Sequence, residues 1–238
     1  MTRNSGGTTT DESRPPLHAP PRLSIIVPAR NEARNLEIVL PELPAVHEVI
    51  LVDGHSVDDT VATARRVMPS IRVVHQTRRG KGNALACGFA AATGDIIVMF
   101  DADGSADPAE IPLFVAALTA GADFAKGSRF CAGGGSHDIT RIRRVGNAFL
   151  NILTNRLFRT AFTDLCYGYN AFWRHVVPAL DLPPHRVMTP QARPVRGDGF
   201  EIETMINCRV AAAGLKIAEV PSVERLRVYG ESNLHAVK

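Results

Sequence analysis

The sequence predicts an α/β protein with a mostly parallel central sheet flanked by helices. Two observations lead there. From Leu23 onward, short runs of nearly continuous Val and Ile alternate with segments of helix length, and the runs lack the in-and-out alternation of a strand with one wet face. Polar, acid-rich turns follow several of these runs, and an open α/β sheet collects its ligands beyond the carboxyl ends of its strands.

Taken in order, the expected strands are Leu23 to Val27, Glu48 to Val52, Ile71 to Val74, Asp95 to Phe100 and Ala122 to Ala125. Between them Asn31 heads one helix, Asp58 and Asp59 head a second over Thr60 to Met68, and Asp107-Pro108 opens a third over Ala109 to Ala120. After Gly127 the rhythm changes. A Gly-rich stretch, Gly133 to Gly135, leads into a helix whose apolar positions Ile142, Val145, Phe149, Leu153 and Leu157 keep helical spacing. A Pro-rich loop over Leu182 to Pro194, a helix over Phe200 to Ala213 and a strand over Leu215 to Val220 complete the chain.

The 238 residues carry 45% hydrophobic and 21% charged side chains and a formal charge of +3, an excess too small to coat a nucleic-acid duplex. Apolar runs such as Ile96 to Phe100 fall far below the roughly 18 to 20 residues of a membrane-spanning helix. Cys87, Cys131, Cys166 and Cys208 are too widely spaced for a zinc site or a disulfide framework, and read as reduced thiols of a cytoplasmic protein. Residues 1–22, polar and punctuated by Pro15, Pro16, Pro20 and Pro21, read as a disordered arm. Without an internal repeat or a break in composition, residues 23–238 read as one domain.

Three strand ends are conspicuously polar: Pro28 to Glu32, Asp53 to Ser56, and Asp101 to Ser105. Acids converging at one sheet edge repel one another unless a cation or a hydrogen-bonding ligand joins them, so this edge is the candidate ligand site. Asp101 and Asp103, two apart, can turn both carboxylates toward one hard cation such as Mg²⁺ or Mn²⁺, which keeps open positions for phosphates. An Asx-turn with two solvated aspartates is the alternative. A calcium loop is excluded, since Ala106 and Pro112 stand where its Gly and closing Glu belong. Arg79 to Asn83 has the glycine spacing of a dinucleotide loop, but Leu85 occupies its third-glycine position and the segment follows the third strand. A helix start beside Lys81 nonetheless suits an anion. Lys126, Arg129, Arg141, Arg143, Arg144, Arg156 and Arg159 are candidate phosphate partners, and Asp164, Asp198, Glu201 and Glu203 candidate general bases. A solvated face or a helix cap is the alternative for any one of them.

Together these segments resemble the inverting glycosyltransferase family 2, which has the GT-A fold, and more closely its polyprenyl-phosphate branch, the one that includes dolichol-phosphate-mannose synthases. The resemblance runs from about Leu23 to Leu234. It rests on Ser24 to Glu32, Val52 to Thr60, Gly80 to Ala84, Asp101-Ala-Asp103, Gly127 to Arg129, Thr163-Asp164 with Gly168, and Glu219-Val-Pro221 with Tyr229 to Ser232. It implies a nucleotide-sugar-binding half over 23–128 and an acceptor half over 129–238. By that resemblance Pro28, Ala29, Glu32 and Asp53 line the nucleoside pocket. Lys81, Ala102 and Arg129 join the donor site, Asp101 and Asp103 hold Mg²⁺ or Mn²⁺, and Asp164 and Glu203 are further catalytic candidates: a phosphate acceptor needs no strong base, whereas a hydroxyl acceptor needs one from Asp164, Asp198 or Glu203. Arg129 and the Arg141, Arg143 and Arg144 cluster face the acceptor phosphate. Ser105 departs from the Gln that this branch often has near the metal. The implied partners are a nucleoside-diphosphate sugar and a polyprenyl phosphate or small-molecule acceptor, with peripheral contact at the inner membrane face. The same donor chemistry on a soluble hydroxyl, a non-catalytic nucleotide-sugar-binding protein and a nucleotidyltransferase are the rivals, the last lacking its Gly-rich signature after the first strand.

Overall fold

The computed structural model of the protein describes residues 19–186 and 195–230. Most of the expected N-terminal arm, the later part of the Pro-rich loop and the chain beyond Gly230 lie outside those residues. The first half alternates as expected: β1 (Leu23–Ala29), α1 (Ala33–Glu42), β2 (Glu48–Asp53), α2 (Thr60–Val67), β3 (Arg72–His75), α3 (Lys81–Ala91) and β4 (Ile96–Met99). A 3₁₀ turn (Pro108–Glu110), opened by an Asp107 carboxylate that accepts from the Ala109 N–H, leads into α4 (Ile111–Thr119). There follow β5 (Phe124–Ser128), β6 (Gly135–Ser136), α5 (Arg141–Phe158), β7 (Asn170–Trp173), α6 (Ile202–Ala212), β8 (Ile217–Pro221) and β9 (Val223–Glu224).

Seven strands form one sheet in the order β3-β2-β1-β4-β7-β5-β8. All pairings are parallel except those of β7, which runs antiparallel between β4 and β5. β6 and β9 pair separately. Buried Ile25, Ile26, Ile50, Leu51, Ile97 and Val98 explain the unbroken apolar runs, since both faces of the inner strands are covered.

Two local expectations give way, and one strand was not expected. Asn31 heads no helix. It takes a left-handed conformation (φ 58°), a region Asn tolerates, and its Oδ1 accepts from the Val57 N–H. The first N–H groups of the α1 region are met instead by the neighbouring loop, Glu32 N donating to Thr60 Oγ1 at 2.9 Å and Ala33 N to Asp58 Oδ2 at 3.3 Å. The fifth strand starts two residues late, because the Ala122 N–H closes the preceding helix onto the Ala117 carbonyl and pairing with β8 begins at Phe124. β7 was not anticipated, being four residues with no Val or Ile.

α3 lies close against β1 and β2. A Cβ at Gly88 would sit 2.4 Å from Ile26 Cγ2 and 3.0 Å from Val52 Cγ2. Alanine is the better helix former by about 1 kcal/mol, but forcing a methyl against a branched core side chain typically costs 1–3 kcal/mol. Gly88→Ala should therefore lower the urea midpoint, and a midpoint equal to or above wild type would show that α3 moves off the sheet without cost.

Candidate active site

The order of the first four strands reverses between β1 and β4, the place where an open sheet leaves a crevice. The loops after β1, β2 and β4 carry the acids. Asp53 ends β2, is 3% exposed, and accepts from the Ser56 N–H at 3.3 Å and pairs with His75 Nδ1 at 3.2 Å. Burial alone would raise its carboxyl, but these hydrogen bonds outweigh it and hold the group below the usual carboxylate range. Pro28 and Ala29 lie beside it, in register with Val52 and Asp53. Glu32 is buried, accepts from Asn35 Nδ2 at 2.5 Å and pairs with Arg227; its burial pushes the carboxyl up.

Asp101 and Asp103 follow β4, with Ala102 buried between them. Each has a cation. Lys81, at the start of α3, reaches Asp101 Oδ1 at 2.7 Å and Glu203 Oε1, on α6, at 2.5 Å. Burial would lower the Lys81 amine, yet the two carboxylates more than reverse this and keep it protonated. Glu203 is raised by burial. Asp103 Oδ1 accepts from Ser105 N and Oγ at 3.0 and 2.7 Å, while its Oδ2 lies 3.3 Å from Arg227. Arg227 thus bridges Glu32 and Asp103. Its segment is strapped down, with Val228 N donating to the Asp103 carbonyl and Tyr229 N to Asn35 Oδ1. Gly168 permits the close approach of Glu203 and Lys81, since a Cβ there would lie 2.3 Å from Glu203 Oε1 and 3.2 Å from Lys81 Nζ.

The acceptor-half expectations change most. Arg129, expected at the acceptor phosphate, is engaged by carboxylates instead. It is 4% exposed and forks onto Asp164 at 2.7 and 3.0 Å, and its remaining nitrogen reaches Glu224 at 3.0 Å. Asp164, fully buried, is no free base. Burial would raise it, but Arg129 and the nearby Lys126 hold it below the carboxylate range. Lys126 lies wholly inside the sheet, donating to the carbonyls of Gly127 and Tyr167 at 2.8 and 2.7 Å, and burial pushes its amine down to about 8. Asp198 is taken by Arg78 at 2.8 and 2.9 Å, and Glu201 accepts from the Gly197 N–H at 2.9 Å. Arg143 pairs with Asp138 at 3.0 Å, whereas Arg141 and Arg144 on the first turn of α5 are exposed, Arg144 lying over the Phe130 ring.

Sequence reasoning passed over Arg227, Arg78 and Asn35. The signal for the first was charge balance: acids at one sheet edge require cations, and Arg225 and Arg227 immediately precede the Tyr229 to Ser232 string. The other two meet partners remote in the chain, Asp198 and Tyr229, which spacing does not reveal.

A family model described as glycosyl transferase family 2 matches residues 24–180. An uncharacterized glycosyltransferase of Mycobacterium tuberculosis is 32% identical over 89% of this chain and 89% of its own length. The polyprenol monophosphomannose synthase of Mycolicibacterium smegmatis is 31% identical over 90% of this chain and 81% of its length. Among solved structures, glucosyl-3-phosphoglycerate synthase from Mycobacterium tuberculosis, in complex with Mn²⁺, uridine diphosphate and glucosyl-3-phosphoglycerate, superposes with a TM-score of 0.67 at 24% identity, covering 89% of this chain and 73% of that one. The fold is thus GT-A, with its mostly parallel sheet and flanking helices.

Removing Arg129 would strand two buried carboxylates, so Arg129→Ala should cost about 3–5 kcal/mol in chemical denaturation, and Arg129→Lys less. Because Asp164 is held below its ordinary 3.8, its contribution is complete above that pH and is lost as pH falls through the folded value. Asp164→Asn should accordingly flatten the acid limb of the stability curve below about pH 4. An unchanged limb would mean that the pair is not formed.

Proposed function

Because the chain belongs to glycosyl transferase family 2, we propose that it moves a sugar, with inversion, from a nucleoside diphosphate to a polyprenyl phosphate. The observation that carries this reading is the clustering of Glu32, Asp101 and Asp103 with Lys81 and Arg227 beyond β1 and β4, with Asp53 at the end of the adjacent β2. Asp53, ionised and hydrogen-bonded in place, is suited to accept a base N–H, beside Pro28 and Ala29 as pocket wall. Lys81 and Arg227 are suited to the diphosphate oxygens, with Ala102 leaving room between the two aspartates.

The site's donor set fits a divalent cation. Asp101 and Asp103 supply hard carboxylate oxygens just beyond β4, the ligand chemistry of an ion that keeps positions for phosphate. The Mn²⁺ in the glucosyl-3-phosphoglycerate synthase complex supports this. When bound, Mg²⁺ or Mn²⁺ would offset charge developing on the diphosphate leaving group. Glu203 then acts as a positioning residue, holding Lys81 against Asp101.

Two observations favour a phosphate acceptor. Asp164, Asp198, Glu201 and Glu203 are each engaged in an ion pair or a hydrogen bond, and an acceptor that arrives ionised needs no strong base. The name of the Mycolicibacterium relative points to the same acceptor class. With Arg129 committed to carboxylates, the exposed Arg141 and Arg144 are the candidate phosphate partners.

Four experiments test the reading. Thermal shifts with GDP and UDP, with and without Mn²⁺, rank the donor, since a ligand at 100 times its Kd adds about 2.7 kcal/mol. Asp101→Asn and Asp103→Asn should abolish the metal-dependent part of that shift and lower turnover by about 10² to 10³; unchanged turnover in both removes them from the site. Asp53→Ala should weaken nucleotide binding by about 1–3 kcal/mol in calorimetry. With radiolabelled sugar nucleotide and polyprenyl phosphate, label should pass into organic solvent. Label that stays in water with a soluble acceptor pool, and never enters the organic phase, overturns the lipid acceptor.

A further inference from the structure

α5 is turned inside out. Its buried residues are polar: Asn147, Asn151 and Thr154. They are consumed locally, Asn147 and Asn151 accepting from the Leu165 N–H at 3.1 and 2.9 Å, and Asn151 Nδ2 donating to the Thr163 carbonyl at 2.6 Å. The opposite face is apolar and bare. Ile142, Val145, Phe149, Ile152 and Leu157 are 66–70% exposed and Leu153 is 45% exposed. A stripe of that size on a water-facing helix is uncommon unless something covers it.

The charges on the helix indicate what covers it. Arg141, Arg143, Arg144, Arg156 and Arg159 lie on or at the end of α5, and residues 141–160 contain no Asp or Glu. A second copy packed on this face would bring arginines against arginines with no acid between them. Residues 1–18, with only Met1 and Leu17 as large apolar side chains, carry too little apolar surface to match the stripe. We propose that α5 is a docking surface for an anionic phospholipid bilayer, lying in the interface plane with Phe149 and Ile152 in the acyl boundary and the arginines on lipid phosphates. An amphipathic basic helix binds that way without spanning, and no helix among the described residues is long and apolar enough to cross a membrane.

The purpose of this surface rests on the acceptor reading above. Arg141 and Arg144 begin the same helix, and its inner face clamps the strand-flanking segment at Thr163 to Leu165, so docking brings the acceptor half to where a membrane-borne phosphate lies.

The probe is vesicle co-sedimentation of the full chain with phosphatidylcholine alone and with phosphatidylcholine mixed with phosphatidylglycerol. Wild type should pellet only with the mixed vesicles, and added salt should release it. The double variant Phe149→Glu, Ile152→Glu alters exposed positions, so folding should persist, while vesicle affinity should fall about tenfold or more. Arg156→Glu should weaken pelleting with the mixed vesicles and reduce its dependence on salt. Nucleotide thermal shifts of all variants should match wild type. Equal pelleting with both vesicles, pelleting with neither, or a concentration-dependent dimer that the double variant abolishes each overturns the proposal. Loss of donor binding with intact vesicle binding would overturn the donor reading instead, so the two failures are separable.

Discussion

Carboxylates gathered at one edge of a parallel sheet must be balanced, and much of the rest of the chain supplies the balance. Asp101 has Lys81 from α3, Asp103 and Glu32 share Arg227 from the far end of the described chain, and Asp53 has His75 from the neighbouring strand. Without Lys81 and Arg227 the carboxylates of Asp101, Asp103 and Glu32 would stand uncompensated at this edge. Charge compensation accounts for why α3 and α6 begin, and the strap through Val228 closes, at this edge.

A second set of ion pairs lies deeper and has a different consequence. Arg129, Asp164 and Glu224 form a closed triad with Tyr167 against the guanidinium, and Lys126 sits beside it on backbone carbonyls. Groups so thoroughly paired are poor acids and bases. They tie β5, the Thr163 to Leu165 segment and β9 to one another, and α5 rests on that segment through its asparagines. The bare apolar side of α5 follows from this. Its polar face is committed inward, so the apolar positions can only turn outward.

Much of the architecture was legible because burial on both faces of a parallel strand leaves an unbroken apolar run, and each run from Leu23 to Phe100 became a strand or ended in one. The acids after β1, β2 and β4 were legible for a related reason: polar residues directly after such a run have nowhere to go but the sheet edge. β7 was not, because Asn170 to Trp173 has no β-branched residue and gains its place from pairing with β4 and β5. Asn31 read as a cap because its residue type suits one; the Thr60 hydroxyl and Asp58 carboxylate, supplied across the loops, took over that task.

The sequence by itself determined the alternation of elements, the helical period of α5 and the chemical types at the acid-rich sheet edge, since these depend on neighbours within a turn or two. Only the tertiary structure decided which charges are free. Arg129 and Arg141 are equivalent as residue types, yet one is enclosed by Asp164 and Glu224 and the other is exposed. An apolar stripe at helical spacing likewise reads the same whether it faces a core or solvent. The physical reason is common to both. Burial and ion pairing are set by partners tens of residues away, and a local pattern carries no information about which of its two faces those partners will cover.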